Sequence, residues 1–337
     1  MNIKEAIHIA ASAASGKSTL PILTTIAIKS ELGRMEFTAS DTQVSIRTTV
    51  DYDAPDFSCC IDARRLVSIM GLMDKPTFKI SDSNLLIRDG KTRFSVQMVP
   101  FENHPGMIPT SDTGSVIPKD AIKIMSGVRY AAGKNSPRHM LNGIFLHAEN
   151  GTLTAYGSDS IRVAMRSMPF DGTVKIIVPT NAVEQIIKHQ PDELIAGRML
   201  LCRKPGFEMV CAAIDGSYPD FKRAIKPSST IITVKKSDIS RSIKAMNIMR
   251  IPADMSRMRL DWESGLMKIS STQGGSEVED EIPVSAPIDS YFSVNIGYFS
   301  DFIDSHDSEE IDLVFNGQTT TIYSDRGNAI DLFVPLK

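Results

Sequence analysis

Apolar positions along this chain switch between two spacings, and the switches mark its elements. Helical spacing predicts six helices, over 5–14, 62–73, 119–132, 181–189, 237–249 and 296–305. Asp62, Thr180, Ser237 and Asn295 stand where helix caps belong, and Pro118 suits a first turn. Between the helices lie strand-like runs such as Leu85-Leu-Ile-Arg88 and Phe94-Ser-Val-Gln-Met-Val99.

The pattern repeats. Gly33-Arg-Met-Glu-Phe-Thr-Ala-Ser-Asp41 has a close copy in Gly151-Thr-Leu-Thr-Ala-Tyr-Gly-Ser-Asp159 and a weaker one in Gly265-Leu-Met-Lys-Ile-Ser-Ser-Thr-Gln273. The glycines are 118 and 114 residues apart. The turn dipeptides Asp89-Gly90, Pro205-Gly206 and Asn316-Gly317 keep nearly the same rhythm, at 116 and 111 residues. Each third therefore reads helix, strands, helix, strands. This predicts an α+β protein of three similar domains, each with two helices packed on antiparallel sheets. The expected domains are 1–113, 116–227 and 231–337, with Ser-, Thr-, Gly- or Pro-rich linkers near 110–115 and 226–230.

Composition narrows the function. The 337 residues are 42% hydrophobic, enough for sizeable cores, and 37 basic side chains nearly balance 40 acidic ones at a net charge of −3. A chain coated in basic residues is excluded; one with bases gathered on one face is not. The helices carry such bases: Arg64 and Arg65, then Lys119, Lys123 and Arg129, then Lys188, then Arg241, Lys244 and Arg250. The helix over 296–305 departs from this, with Asp301 and Asp304 and no base.

Candidate chemistry is sparse. Cys59, Cys60, Cys202 and Cys211 form no metal-binding spacing and read as reduced, buried thiols of a cytoplasmic protein. The six histidines lack zinc-site spacing, and the acidic run 277–281 lacks the glycine of a calcium loop. Gly16-Lys17-Ser18-Thr19 ends like a phosphate-binding loop, but Ala11 stands where its first glycine belongs. No nucleophile elbow is present. No cofactor, no metal and no catalytic role are expected. No apolar run reaches the roughly 20 residues of a membrane span. The mildly apolar stretch 6–15, broken by His8 and serines, reads as an amphipathic first helix rather than a leader.

Several strings resemble the bacterial DNA polymerase III beta subunit family of sliding clamps. They are Leu20-Pro-Ile-Leu23, Leu141-Asn-Gly143, Ser158-Asp-Ser-Ile-Arg-Val-Ala164, Asp215-Gly-Ser-Tyr-Pro-Asp-Phe-Lys-Arg223 and the C-terminal Val334-Pro-Leu-Lys337. Asp215–Arg223 is the most specific, and the resemblance spans essentially the whole chain. Leu20–Leu23 resembles the family's first-domain strand. The resemblance implies a head-to-tail homodimer whose six domains encircle duplex DNA. Such a ring is held topologically rather than by sequence, and it confers processivity on a DNA polymerase without catalysis of its own.

By resemblance, DNA-facing residues are Lys17, Arg64, Lys123, Lys134, Arg138, His139, Met140, Lys188, Arg241 and Lys244. The family often has aromatic residues where His139 and Met140 stand. A pocket between the second and third domains would receive short peptides from the polymerase, the clamp loader and repair proteins. One side comprises Leu141, Ser158, Ile161, Arg162, Val163, Pro219, Arg223 and Ala224. The other comprises Asn295, Tyr298, Gln318, Thr320, Leu332, Val334, Pro335 and Leu336. Ser160-Ile161 replaces the family's usual Gly-His, and the tail ends one residue early. Ile248 and Met249 are expected to meet His104 of a second copy, at a position where the family often has an aromatic residue. Two other readings remain open: a three-domain binding scaffold that never closes, and an enzyme using the Gly16–Ser18 loop.

Overall fold

A computed structural model of the chain describes residues 1–110, 113–221, 230–248, 257–273, 275–285, 290–306, 308–315, 322–326 and 329–333. The first third runs α1 (Ile3–Ala11), β1 (Thr25–Glu31), β2 (Arg34–Ser40), β3 (Val44–Asp51), β4 (Phe57–Asp62), α2 (Ala63–Leu72), β5 (Thr77–Ser81), β6 (Asn84–Asp89) and β7 (Thr92–Gln97). The second runs β8 (Ser115–Ile117), α3 (Ala121–Val128), β9 (Gly143–Glu149), β10 (Thr152–Ser158), β11 (Arg162–Pro169), β12 (Lys175–Pro179), α4 (Thr180–His189), β13 (Glu193–Ala196), β14 (Met199–Lys204) and β15 (Phe207–Ala212). The third runs β16 (Thr230–Lys235), α5 (Lys236–Ile248), β17 (Arg257–Glu263), β18 (Leu266–Gln273), β19 (Ser276–Pro283), β20 (Ser290–Asn295), α6 (Ile296–Asp304), β21 (Glu310–Phe315), β22 (Ile322–Arg326) and β23 (Ala329–Phe333). The expected order of helix, strands, helix, strands is present three times.

The repeat is physical as well as sequential. Leu32-Gly33, Asn150-Gly151 and Ser264-Gly265 all have positive φ at both residues, between 51° and 84°. This is the type I′ turn, whose twist suits a two-residue hairpin. The corner after each of the first two hairpins also recurs. The Asp41 Oδ1 accepts from the amides of Gln43 and Val44 at 2.9 and 2.7 Å. Asp159 Oδ1 accepts from those of Ile161 and Arg162 at 2.9 and 2.8 Å.

The chain folds as two compact units. The first comprises residues 1–122 and 174–214. It contains an antiparallel sheet in the order β4-β1-β2-β3-β15-β14-β13-β8 and a smaller one, β5-β6-β7. α1 lies over the larger sheet, where Ile7, Ile26, Ile28, Phe37 and Ile46 are fully buried, and the Thr48 hydroxyl donates to the Ala6 carbonyl at 2.9 Å. The second unit comprises residues 123–173 and 215–337. It contains the run β9-β10-β11-β23-β22-β21-β16 and the sheet β19-β18-β17-β20. α5 and α6 close a core around Trp262, Phe292, Phe299 and Phe302. Each such side chain contributes roughly 1.5–3 kcal/mol by leaving water. Among the described residues, no helix is long and apolar enough to cross a membrane.

Some local expectations change. The segment expected as a strand at Leu20–Leu23 is instead a 3-10 turn, Pro21–Thr24. Pro21 sets its first turn, and the Thr24 and Thr25 hydroxyls bond back to the carbonyls of Pro21 and Ile22 at 2.7 and 2.6 Å. The helix expected over 119–132 stops at Val128 and ends as a 3-10 turn, Arg129–Ala131. There the Val128 carbonyl presses on Gly157 so closely that a Cβ at 157 would sit 2.3 Å away. Asp62 and Asn295 cap their helices through the amides of Arg65 and Tyr298. Thr180 does not cap α4, because Pro179 takes that place, and α5 starts one residue ahead of Ser237.

Candidate functional site

The three hairpins offer an internal comparison, because equivalent positions can be matched by strand register. On the face opposite the helices, the first repeat carries Ala27, Thr38, Ser45 and Arg47. The third carries Arg259, Ser270, Glu277 and Glu279. The middle repeat carries Phe145, Tyr156, Val163 and Met165. Two of these faces are therefore polar and one is apolar. On the first, Arg47 pairs with Glu208 at 2.9 Å and Arg34 with Asp51 at 3.2 Å, inside a shallow groove of about 1040 Å³. On the third, Arg259 pairs with Asp261 and Lys268 with Glu279, both at 2.7 Å.

The apolar face is built up by neighbouring strands. Tyr156, Val163, Met165, Val314 and Leu332 form one buried cluster, with Phe145, Tyr218, Phe221 and Ile330 packed against it. Tyr218 and Phe221 come from the Asp215–Arg223 motif, whose described part, residues 215–221, packs against the face as a strap. The Tyr218 ring stacks on Phe145 with centroids 5.2 Å apart, and Phe145 stacks in turn on His147 at 5.4 Å. Burial pushes the Tyr218 phenol well above its usual range. The cluster itself is buried, and its partly buried rim of Phe145, Tyr218, Phe221 and Ile330 is the part that suits an apolar peptide anchor.

The opposite face of β11 is ionic. The Arg162 guanidinium donates to Asp159 at 3.0 Å and to Asp301 of α6 at 2.6 Å, and lies 4.2 Å over the Tyr298 ring. Asp301, the acid that set its helix apart in the sequence, is thus the partner of Arg162. Four residues further along the same face of β11, Arg166 pairs with the fully buried Asp331 at 2.8 Å. Tyr130 donates to Asp331 at 2.5 Å, and the His306 imidazole lies 3.4 Å from it. Burial, then the Asp331 charge, hold the Tyr130 phenol far above its normal range. Burial keeps His306 below its normal value, since it costs the imidazolium more than Asp331 returns. Sequence reasoning missed this network, because its members lie up to 201 positions apart.

Of the residues expected in a peptide pocket, Val163 and Leu332 lie in the apolar cluster, and Pro219 lies in the strap beside Tyr218. Ile161 projects at the corner, 42% exposed. Leu141 is fully buried. The Ser158 hydroxyl is buried and donates to the Arg162 carbonyl at 2.8 Å. Arg162, Asn295 and Tyr298 belong to the helix-side network and cap described above. Arg223, Ala224, Gln318, Thr320, Val334, Pro335 and Leu336 lie outside the described residues.

The expected DNA-facing bases are all exposed. Lys123 stands on α3, Lys188 on α4, and Arg241 and Lys244 on one ridge of α5 with Ser237 and Ile248. Lys134, Arg138 and His139 sit on the loop before β9, with Met140 half-buried beside them. Lys17 is on the equivalent loop before β1, and Arg64 on α2 reaches that loop. Gly16–Thr19 opens no α-helix, so the phosphate-loop likeness ends at the sequence.

Of the expected interface residues, Ile248 is 82% exposed and Met249 lies outside the described residues. His104 is half-buried, its Nδ1 accepting from the Gly106 amide at 3.0 Å, and burial lowers its pKa. All four cysteines are buried and unpaired, and burial pushes Cys59 and Cys211 to about 12 and Cys60 to about 11. Among the described residues, no group of three or more His, Cys, Asp or Glu is placed to hold a metal.

Comparison with known proteins adds the following. Family models described as the N-terminal and central domains of the DNA polymerase III beta subunit match residues 1–109 and 116–220. A beta sliding clamp of Pseudomonas putida is 21% identical over 342 aligned residues, covering 96% of this chain and 93% of that protein. The crystal structure of the Pseudomonas aeruginosa DNA polymerase III subunit beta superposes with a TM-score of 0.87 at 19% identity, over 99% of this chain and 98% of that one. The Bacillus subtilis DNA polymerase sliding clamp gives 0.89 at 20% identity, over 99% and 97%.

Proposed function

This chain belongs to the DNA polymerase III beta subunit family, the non-catalytic sliding clamps, and on that premise we propose that two copies close head to tail around duplex DNA. One observation carries the reading. In two repeats the third hairpin strand pairs with a last strand from the following repeat, β3 with β15 and β11 with β23. The equivalents left over are β19 and β7, and each stands at the end of its sheet. β19 exposes Glu277, Glu279 and Glu281, while Lys91 and Arg93 are exposed at β7. Opposite charge suits pairing of β19 in one copy with β7 in the next, and two such contacts close a ring.

Three domains per chain, 1–113, 116–227 and 231–337, give the six of the ring. The exposed bases of α3, α4 and α5, with Lys17 and Lys134 on their loops, supply weak, sequence-independent attraction to phosphate, and closure supplies the retention. The DNA polymerase, the clamp loader and repair proteins dock short apolar peptides on the face that only the middle repeat makes apolar. The ring works in the cytoplasm.

Sedimentation at low micromolar concentration tests closure: twice 37.0 kDa, or 74.0 kDa, is expected. Protein loaded on circular DNA should survive high salt and leave when the circle is cut. A monomer, or loss from uncut circles in high salt, overturns the ring.

A further inference from the structure

The loops before β1 and β9 occupy equivalent places, 118 residues apart, and are tied at the same point. The Ser15 amide donates to the Leu23 carbonyl and the Gly133 amide to that of Leu141, both at 2.8 Å. Beyond that tie the loops differ. The second is clamped by Asn142, whose side chain accepts from the Ser136 amide at 2.7 Å and donates to its carbonyl at 3.0 Å. The first has Thr24 at the equivalent position, and its hydroxyl turns back to Pro21. Arg64 reaches across from α2 instead, its guanidinium donating to the Gly16 carbonyl at 2.6 Å. Gly16 is packed against it closely enough that a Cβ would lie 3.1 Å from Nη2.

We propose that Arg64 is a positioning residue: it clamps the loop that presents Lys17 to DNA, the part Asn142 plays for the loop presenting Lys134 and Arg138. This replaces the reading of Arg64 as an independent phosphate contact and rests on the reading that Lys17 faces DNA. A charge-assisted bond to the carbonyl next to Lys17 fixes where that ammonium stands, so its phosphate contact is made without ordering the loop anew.

The test is a double-mutant cycle on the full chain, reading the salt dependence of binding to a short duplex. Lys17→Ala should lower the slope of log K against log salt by about 0.9, the value for one phosphate contact. Arg64→Met, which removes every donor, should lower affinity by a similar factor, and the double variant should be no weaker than Lys17→Ala. Arg64→Lys, which keeps one donor for the carbonyl, should recover part of the loss. Additive effects, with a slope lowered by about 1.8 in the double variant, overturn the clamp and make Arg64 a phosphate contact in its own right. No effect of Lys17→Ala overturns the Lys17 reading and the clamp with it. Arg64 is exposed, so an unchanged melting temperature separates these outcomes from misfolding.

Discussion

Asp331→Asn removes one charge from the centre of the second unit and leaves its shape almost unchanged. The wild-type carboxylate is fully buried, accepts from Tyr130 and pairs with Arg166, whose side chain is only 11% exposed. Asparagine keeps an acceptor for Tyr130 but leaves the guanidinium with neutral partners: the Met165 carbonyl at 2.9 Å and the Ser305 hydroxyl at 3.3 Å. Removing one partner of a buried pair costs roughly 3–5 kcal/mol, because the other charge stays buried. With an m-value of roughly 3 kcal/mol/M in urea, the midpoint should fall by about 1–1.7 M. The only tryptophan, Trp262, is buried in the core of the same unit, so its fluorescence reports this transition. The decisive control is the charge-free pair Arg166→Met with Asp331→Asn, which keeps an acceptor for Tyr130 and should be more stable than Asp331→Asn alone by at least about 1 kcal/mol. A cost for Asp331→Asn below about 1 kcal/mol, or a double variant as unstable as the two singles summed, would refute the account.

Three further outcomes follow from single positions. Gly157→Ala drives a methyl into the Val128 carbonyl and should lower unit-two stability by at least about 2 kcal/mol by the Trp262 transition, while Ala155→Gly should cost only about 1. Thr42 is β-branched at φ 77°, so Thr42→Gly should raise thermal stability by about 1 kcal/mol; a decrease would mean that its corner is unstrained. His189 is held down to about 4, first by burial and then by Lys188 and Lys204, so the unfolded chain binds the extra proton. Stability from this group is complete above its usual 6.5 and falls as pH drops toward 4, by at most about 1.4 kcal/mol per unit; His189→Gln should flatten that slope in urea titrations at stepped pH.

The six helices and three hairpins were legible because each rests on local rules. Apolar spacing placed α1 to α6, and a glycine after each of Glu31-Leu32, Glu149-Asn150 and Glu263-Ser264 fixed a turn that few other residues allow. Helix ends were less legible. α3 stops where it does because of Gly157, which lies 29 positions beyond Val128 and contacts it only once the strands have paired. The candidate site divided the same way. The strap around Tyr218 announced itself as a motif, whereas Phe145, Tyr156 and Met165 gain meaning only when register sets them against Ala27, Thr38 and Arg47. The pairing of Asp331 with Tyr130 and Arg166 has no local signature, since an aspartate in a strand reads as an exposed residue until its neighbours are known.

The acidic β19 edge also bears on assemblies that must not form. An open strand edge invites any other edge, and a lone chain carries several. Two β19 edges brought together would set three glutamates against three, and two β7 edges would oppose lysine and arginine to their own kind. Like-with-like pairing, the route to stacked aggregates, is therefore penalised within the strand that most needs an occupant. Because the same charges are screened by salt, ionic strength acts on both choices at once: it weakens the proposed contact between β19 and β7 and relaxes the penalty on like pairing.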